Sequence, residues 1–411
     1  MLIHSDHQKR ESMKITLGPG AIVAAAFIGP GTIATAAAAG ASSGMTLLWA
    51  ILLSVLATLV LQELSVRSAL ATNRDLASLI RLLGERQWWS GALAILVLCA
   101  IGVGNAAYQS GNLSGAGLGL SALLPVPFAF AVIASSLVSA SLILLDRYRV
   151  LERVLVILVV LMACLFIGLA VFCLPELFAM HHALILASNA SRSLTLVLAL
   201  IGTTVVPYNL FLHATAARRR WLGVPLAQAL QEARTEATLA ITLGGIMTIA
   251  VMVVATVVLQ GESEGPILDR LMIAIDHRLP GVGMWVVGGG LFAAGLTSAI
   301  AAPMAAGWTV CGVMGWSTDA QSRPFKVVAL SVLGAGLTFA LLIPRPDALI
   351  IAAQATNAVL LPLIAGILLI VANSALLPAP YRNRRLHNGV AASVILLVLI
   401  LGLSKVISLV D

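Results

Sequence analysis

The chain has 411 residues, of which 60% are hydrophobic and only 10% are charged. Soluble domains carry about 25% charged residues, so this composition excludes a soluble globular protein and predicts one that crosses the membrane many times. The net charge of +7 does not indicate a nucleic-acid partner, because the cations fall in short clusters between apolar runs. Such clusters are typical of the loops that set membrane orientation.

Apolar runs of membrane-spanning length predict an all-α polytopic protein of about eleven helices. We place these spans at 17–41, 46–70, 91–122, 127–145, 150–174, 193–217, 236–259, 282–312, 327–343, 348–373 and 388–409. If the N-terminal tail 1–16 is cytoplasmic, most lysines and arginines fall on the inner side, and the loop 260–281 falls outside. The charge asymmetry therefore predicts a cytoplasmic N-terminus and an external C-terminus.

Two of these runs contain residues that interrupt a helix. Gly29-Pro-Gly-Thr32 lies in the first run and Val206-Pro-Tyr-Asn209 lies in the sixth. Proline removes a backbone donor and clashes with the preceding turn, and glycine is a poor helix former. Unwound backbone at membrane depth persists only when it is buried in protein or lines a wet cavity. A matched pair of broken spans therefore predicts the binding site of a transporter.

The position of the two broken spans predicts an inverted repeat. The first ten spans divide into two groups of five, in 17–174 and 193–373, and the remaining segment 388–411 carries an eleventh helix. An odd number of spans in each group makes the second group run opposite to the first. The broken spans 1 and 6 are then equivalent, and the substrate is expected between them at the middle of the membrane.

The residues around both breaks resemble a known family. Gly18-Pro-Gly-Ala-Ile-Val-Ala-Ala-Ala-Phe-Ile-Gly-Pro-Gly31 resembles the first helix of the divalent-metal transporters of the Nramp (natural resistance-associated macrophage protein) family, and Gly202-Thr-Thr-Val-Val-Pro-Tyr-Asn-Leu-Phe-Leu-His213 resembles their sixth. The likeness continues through the second, eighth and tenth spans. It implies a LeuT-like fold of inverted repeats, alternating access and a divalent metal ion as substrate.

The positions that ligate the ion in that family differ here. The family pattern Asp-Pro-Gly-Asn, whose Asp and Asn bind the ion, is replaced by Gly29 and Thr32. An Ala carbonyl and a Met sulfur of the sixth helix fall on Thr203 and Val206. Because a thioether favours soft transition metals over magnesium and calcium, this set predicts poor binding of manganese, iron and cadmium.

The positions that the family uses for proton movement also differ. Its acidic residues in the third span fall on Gln109 and Asn112, and the first of its two histidines falls on Tyr208, while the second is kept as His213. Amides do not ionise, so we expect little proton coupling. His213 is the remaining candidate that can titrate, and a purely structural role for it is equally compatible with the sequence.

The predicted site carries no acidic ligand. Glu63, the only acid well inside a predicted span, is expected to pair with Arg67 one helical turn later. A bare divalent cation needs negative ligands, since desolvation otherwise costs more than neutral dipoles return. Neutral groups suit a cation that keeps its waters, as magnesium does. They also suit a small organic solute, because helix N-termini bind carboxylates. We predict substrate contacts at Gly29, Thr32, Thr203, Val206, Tyr208, Gln354 and Asn357, and coupling or gating at Gln109, Asn112 and His213.

Three interpretations stay open. The first is an Nramp-related transporter, secondary-active or facilitative, that moves a divalent metal cation by alternating access with little proton coupling. This cation is either hydrated and magnesium-like or another ion that differs from the family's usual ones. The second is the same scaffold with an amino or carboxylic acid as substrate, and the third is a membrane sensor or scaffold that transports nothing. No phosphate-binding loop, catalytic triad or zinc motif occurs in the sequence, so we expect neither an enzyme nor a cofactor. We expect a small ion or solute and the lipid bilayer as partners, no nucleic acid, and a location in a bacterial inner membrane. The sequence leaves the oligomeric state open, and a monomer is one option.

Overall fold

The computed structural model describes residues 26–84, 90–145, 148–180, 190–259, 265–343 and 346–410. Within these ranges the chain is helical apart from short connections, and no strand occurs in them. The α-helices, numbered in chain order, are α1 (Pro30–Ser43), α2 (Leu48–Thr72), α3 (Leu76–Gly84), α4 (Ser90–Val97), α5 (Gly104–Leu123), α6 (Phe128–Leu144), α7 (Tyr148–Ala179), α8 (Ala190–Thr204), α9 (Pro207–Arg220), α10 (Leu226–Val258), α11 (Ile267–Arg278), α12 (Gly289–Met314), α13 (Arg323–Leu342), α14 (Pro346–Asn373) and α15 (Arg385–Val410).

Each of the eleven predicted spans overlaps a described helix. Seven described helical segments are long and apolar enough to cross a membrane, so the protein is an integral membrane protein, as its composition predicts. The two unusually long runs, 91–122 and 282–312, each contain a π-helical turn, at Leu98–Val103 and at Met284–Gly288. Residues 17–25 of the first predicted span lie outside the described ranges.

Two short helices were not predicted. Helix α3 follows the second span directly, and α11 occupies part of the segment 260–281, which the sequence indicates only as a loop. Leu268, Leu271 and Ile275 on one side of α11 are buried, so this segment packs against the bundle. Both helices have twelve residues or fewer, which is too short for a search based on spanning length.

Both predicted helix breaks are present. Ile28 and Gly29 are not helical, and α1 begins at Pro30. Val205 and Val206 are not helical either, and α9 begins at Pro207. Proline suits the first position of a helix, where its missing N–H has no partner to lose. We call Ile28–Gly29 the first break and Val205–Val206 the second break.

Each break is confined to two residues. Thr32 already lies in α1, and Thr203 still lies in α8. The Thr32 N–H donates to the Gly29 carbonyl oxygen at 3.0 Å, which winds the chain into a helix directly after Gly29. Both interruptions therefore fall where the sequence places them, and each leaves two residues outside the helices.

Helices α5 and α12 pack through glycine at the centre of the bundle. A Cβ atom on Gly295 would lie 2.3 Å from the Ala116 backbone nitrogen, and one on Gly119 would lie 2.2 Å from the Phe292 nitrogen. Small residues let membrane helices approach this closely. Pro30 packs on the same helix, 2.2 Å from the position of a Cβ atom on Gly115, and this contact places the first break against α5.

Ion pairs connect the helices at one end of the bundle. Glu63 pairs with Arg67 at 3.1 Å, as predicted, and also with Arg234 of α10 at 2.6 Å. Asp75 binds Arg218 of α9 through both carboxylate oxygens, at 3.0 and 3.1 Å. We call the region around Arg67, Arg218 and Arg234 the arginine-rich end, and its ion pairs hold α2, α3, α9 and α10 together.

The glycine contact gives a stability prediction. We expect Gly295→Ala to lower the melting temperature of the purified protein in detergent, because the new methyl group meets backbone atoms that cannot rotate away. Overpacking of this kind costs about 1–3 kcal/mol. Gly168→Ala on α7 is the matched control, since a Cβ there meets nothing within 4 Å. Equal melting temperatures for the two variants would contradict this account of the α5–α12 contact.

Candidate functional site

The two breaks meet through threonine hydroxyls. Thr32 Oγ1 lies 2.9 Å from Thr203 Oγ1 and donates to the Phe27 carbonyl oxygen at 3.2 Å. Both side chains are buried. The hydroxyl of Thr32 therefore satisfies a carbonyl that the first break leaves without a helical partner. The two predicted residues lie together, and each comes from a different broken span.

Tyr208 makes a second connection between the breaks. It lies in the first turn of α9, and its hydroxyl donates to the Ala26 carbonyl oxygen at 3.3 Å. Its ring packs against that of Tyr108 on α5, with 5.4 Å between the ring centroids and 59° between the planes. Side chains from α9 thus satisfy backbone groups just before the first break, as buried polar backbone requires.

Gln354 enters the site from α14. A Cβ atom on Gly31 would lie 1.9 Å from the Gln354 Nε2 atom and 2.3 Å from its Cδ atom, so the amide lies directly on the backbone of α1. A larger residue at position 31 would force the Gln354 amide to move away from the α1 backbone. The position of Gln354 against α1 is thus consistent with its predicted role in substrate binding. The side chain of Asn357, further along α14, lies outside the described part of the chain.

The space beside Gly29 is occupied by polar atoms of three residues. A Cβ atom on Gly29 would lie 3.0 Å from Ser298 Oγ, 3.2 Å from the Tyr108 hydroxyl oxygen and 3.8 Å from Asn112 Oδ1. A side chain at residue 29 would therefore enter a polar group of atoms from α5 and α12. Tyr108 was missed among the candidate residues. Its signal was its place one turn before Asn112, on the same face of a helix.

Gln109 and Asn112 bind each other and the neighbouring helix. Asn112 Nδ2 donates to Gln109 Oε1 at 3.2 Å, and Gln109 Nε2 donates to the Ala299 carbonyl oxygen of α12 at 3.0 Å. These amides contribute to the α5–α12 contact and hold no charge.

Val206 is the extended residue directly before α9, and its side chain has no polar atom to offer a ligand.

His213 lies away from the breaks, toward the arginine-rich end. Its Nδ1 atom lies 2.8 Å from Gln62 Oε1, and the side chain is fully buried. It lines a cavity of about 240 Å³ together with Gln62, Glu63, Arg67 and Arg234. The structure therefore does not place His213 among the residues at the breaks, and it gives this histidine a hydrogen-bonding partner on α2.

The site is electrically neutral apart from its helix ends. The charged residues among the buried polar side chains of the described ranges are Arg67 and Asp75, and both belong to the arginine-rich end. No group of three or more His, Cys, Asp or Glu residues that could hold a metal occurs in the described ranges. The N-termini of α1 and α9 add partial positive charge. What remains is a set of hydroxyl and amide oxygens, which are ligands for hard cations or hydrogen-bonding partners for their waters.

Comparison with known proteins establishes the family. The family model of natural resistance-associated macrophage protein-like proteins, Nramp, matches residues 20–408. The chain belongs to the Nramp family. Members of this family are transporters rather than enzymes, which agrees with the expectation from the sequence.

Relatives in this family resemble the chain over most of its length. It is 27% identical over 341 residues to a divalent metal cation transporter, MntH, of Mesorhizobium japonicum, and covers 73% of that protein with 78% of its own length. It is 26% identical over 337 residues to MntH of Bacillus subtilis, with 77% of the chain and 75% of the relative covered.

Solved structures show the same fold. The manganese transporter of Eremococcus coleocola superposes with a TM-score of 0.81 at 21% identity, and the match covers 99% of the chain and 89% of the transporter. MhsT, in complex with L-phenylalanine, superposes with a TM-score of 0.65 at 17% identity, over 96% of the chain and 100% of MhsT. The predicted LeuT-like architecture with two broken helices is thereby confirmed.

The surroundings of Gly29 give a prediction on metal selectivity. We expect the wild-type protein to bind Mn²⁺ poorly, and the triple variant Gly29→Asp, Thr32→Asn, Val206→Met to bind it at least about tenfold more tightly, which is about 1.4 kcal/mol. Adding Ser298→Ala is expected to increase the affinity further, because it removes the oxygen 3.0 Å from the new Cβ atom.

Isothermal titration calorimetry with Mn²⁺ measures these affinities. The control adds Ser135→Ala instead, since the Ser135 hydroxyl on α6 only donates to the Ala131 carbonyl of its own helix. An unchanged Mn²⁺ affinity in both quadruple variants would contradict the assignment of residues 29, 32 and 206 as the positions next to the ion.

Proposed function

We propose that the protein transports a divalent metal cation that keeps most of its water shell, as magnesium does, by alternating access. The observation that carries the proposal is the meeting of two broken helices at a buried centre built from neutral oxygen atoms. Thr32 and Thr203 join there at 2.9 Å, and Gln354 lies on α1 beside them. Family membership supports a metal cation as cargo, because the relatives named above are divalent metal cation transporters.

The donor set argues for a hydrated ion over a bare one. Removing a divalent ion from water is costly unless negative ligands compensate, and none of the polar side chains described at the breaks is acidic. Magnesium exchanges its waters reluctantly and is often bound through them. The absence of a thioether at Val206 disfavours soft transition metals. The proposed binding residues are Gly29, Thr32, Thr203, Val206, Tyr208, Gln354 and Asn357.

Proton movement is proposed to be weakly coupled to transport. Gln109 and Asn112 stand where a relay would need titratable groups, and their amides are used in hydrogen bonds to each other and to α12. His213 is bonded to Gln62 and lies closer to the arginine-rich end. We propose that this histidine supports the packing of α9 against α2, and that any gating by Gln109 and Asn112 acts through the α5–α12 contact.

A second candidate is a small organic acid as substrate on the same scaffold. It is favoured by the two helix N-termini at a centre without described acidic side chains, because such N-termini attract carboxylates. The chemistry of the relatives favours the cation. Any measurable flux of substrate would exclude the third interpretation, a sensor or scaffold that transports nothing.

The arrangement of the chain in the membrane is also a proposal. Residues 17–174 and 193–373 form two inverted repeats, 388–411 forms an additional helix and C-terminus, and 1–16 is a tail. The excess of cations in the inner segments puts the N-terminus in the cytoplasm, and the bacterial relatives favour the inner membrane. A monomer is sufficient, because both breaks come from one chain.

Reconstitution into liposomes tests this function. With an imposed membrane potential, we expect Mg²⁺ uptake above that of empty liposomes, little uptake of Mn²⁺ and no change of internal pH that follows the Mg²⁺ flux. Magnesium- and pH-sensitive dyes measure the Mg²⁺ uptake and the internal pH in parallel. A proton signal proportional to Mg²⁺ flux would contradict weak coupling, and His213→Ala would then show whether that residue carries it. Uptake of amino or carboxylic acids without uptake of any divalent cation would favour the second candidate.

A further inference from the structure

Three buried side-chain oxygens that make no hydrogen bond to the backbone gather around the first break. They are the Tyr108 hydroxyl, Ser298 Oγ and Gln354 Oε1, from residues at most 2% exposed. They come from α5, α12 and α14, and two of them lie within 3.2 Å of one point, the position of a Cβ atom on Gly29. Buried polar groups are normally hydrogen-bonded, and side-chain oxygens that lack backbone partners keep acceptor capacity for a bound ligand or its waters.

Several other hydroxyls in the described helices are satisfied within their own helix, although those of Thr35 and Ser114 are not. Ser54, Ser135 and Ser139 each donate to a carbonyl four residues earlier. Thr297, directly before Ser298, donates to the Ala294 carbonyl at 3.0 Å. Ser298 makes no such bond. Its hydroxyl lies near that of Tyr208, and the Tyr108 hydroxyl lies near the Gln354 amide, so these groups form one polar cluster.

The chemistry of the cluster fits the waters of a hydrated cation. Waters bound to a divalent ion are polarised hydrogen-bond donors, and they need acceptor oxygens around them. Phenol, hydroxyl and amide oxygens all accept. A carboxylate at residue 29 would instead bind the ion directly and displace a water. With glycine at residue 29, the oxygens of Tyr108 and Ser298 are the groups closest to that position.

We propose that Tyr108 and Ser298 contact the water shell of the transported cation and determine its selectivity, in place of a side chain at residue 29. This inference rests on the proposed function, because it assumes a hydrated cation as cargo. It adds two residues that neither the sequence pattern at the breaks nor the family resemblance assigns to the site. Gln354 is a third acceptor for the same shell.

The test compares two probes on matched variants. Cobalt(III) hexaammine has an inert shell of N–H donors and imitates hexahydrated magnesium. It therefore binds only at sites that form hydrogen bonds with the ligands around the ion rather than with the ion itself. The variants are Tyr108→Phe and Ser298→Ala, each of which removes one hydroxyl. The controls are Tyr381→Phe, in the connection after α14, and Ser135→Ala on α6. Mg²⁺ uptake is measured in liposomes, and cobalt hexaammine binding is measured by calorimetry on the purified proteins.

We expect each site variant to raise the KM for Mg²⁺ and the Kd for cobalt hexaammine about five- to tenfold, as the loss of one hydrogen bond predicts. The controls are expected to match the wild type. If one of the two site variants is unstable, the other gives the same readout, because each removes a different hydroxyl. Binding of cobalt hexaammine that weakens in the site variants alone supports the inference.

Two results would overturn the inference in distinguishable ways. Wild-type Mg²⁺ uptake with unchanged KM and Kd in the site variants would reject Tyr108 and Ser298 as contacts and leave the proposed function intact. Failure of the wild-type protein to transport any divalent cation would reject the proposed function, and with it the inference.

Discussion

The structure depends on the need to satisfy backbone groups where two membrane helices stop and restart. A helix that is broken inside the bilayer leaves carbonyl and N–H groups without partners, and such groups are tolerated only inside protein. Here Thr32 binds the Phe27 carbonyl and Tyr208 binds that of Ala26. The first break is therefore stabilised by a side chain beside it and by one from the other broken span, so the two spans form one unit. Pro30 on Gly115 and Gln354 on Gly31 fix this unit against α5 and α14.

The chemical character of the site follows from what this unit contains. Its side chains are hydroxyls and amides, and the charged pairs, Glu63 with Arg67 and Arg234 and Asp75 with Arg218, are at the arginine-rich end. Charges placed there stabilise the contacts between helices without entering the centre. A neutral centre cannot compensate for full dehydration of a divalent ion, which links the architecture directly to the proposal that the cargo keeps its waters.

The sequence was sufficient to predict the architecture, because its signals are strong and local. Spanning length gives the long helices, and Gly29-Pro30 and Val206-Pro207 locate both breaks to within a few residues. Helices α3 and α11 were missed because they are shorter than a membrane span. The pairing of Glu63 with Arg67 follows from helical spacing, whereas Arg234 is distant in sequence and is found only in the folded bundle.

The site could be predicted only in part. Residues at the breaks, such as Thr32 and Thr203, can be found from the chain alone, because the break marks them. Tyr108 and Ser298 lie in unbroken helices, and only the packing of α5 and α12 brings their oxygens beside Gly29. His213 shows the reverse case, because it lies near a break in sequence but contacts Gln62 toward the arginine-rich end.

The most direct test of the central claim is an experimental structure of the protein with Mg²⁺ at the breaks, at a resolution that shows ordered water. The account predicts that waters occupy most of the positions about 2.1 Å from the ion. The side-chain oxygens of Thr32, Thr203, Tyr108, Ser298 and Gln354 are then expected at about 4 Å, one hydrogen bond beyond those waters. Direct coordination of the ion by three or more of these side chains at about 2.1 Å would contradict the account.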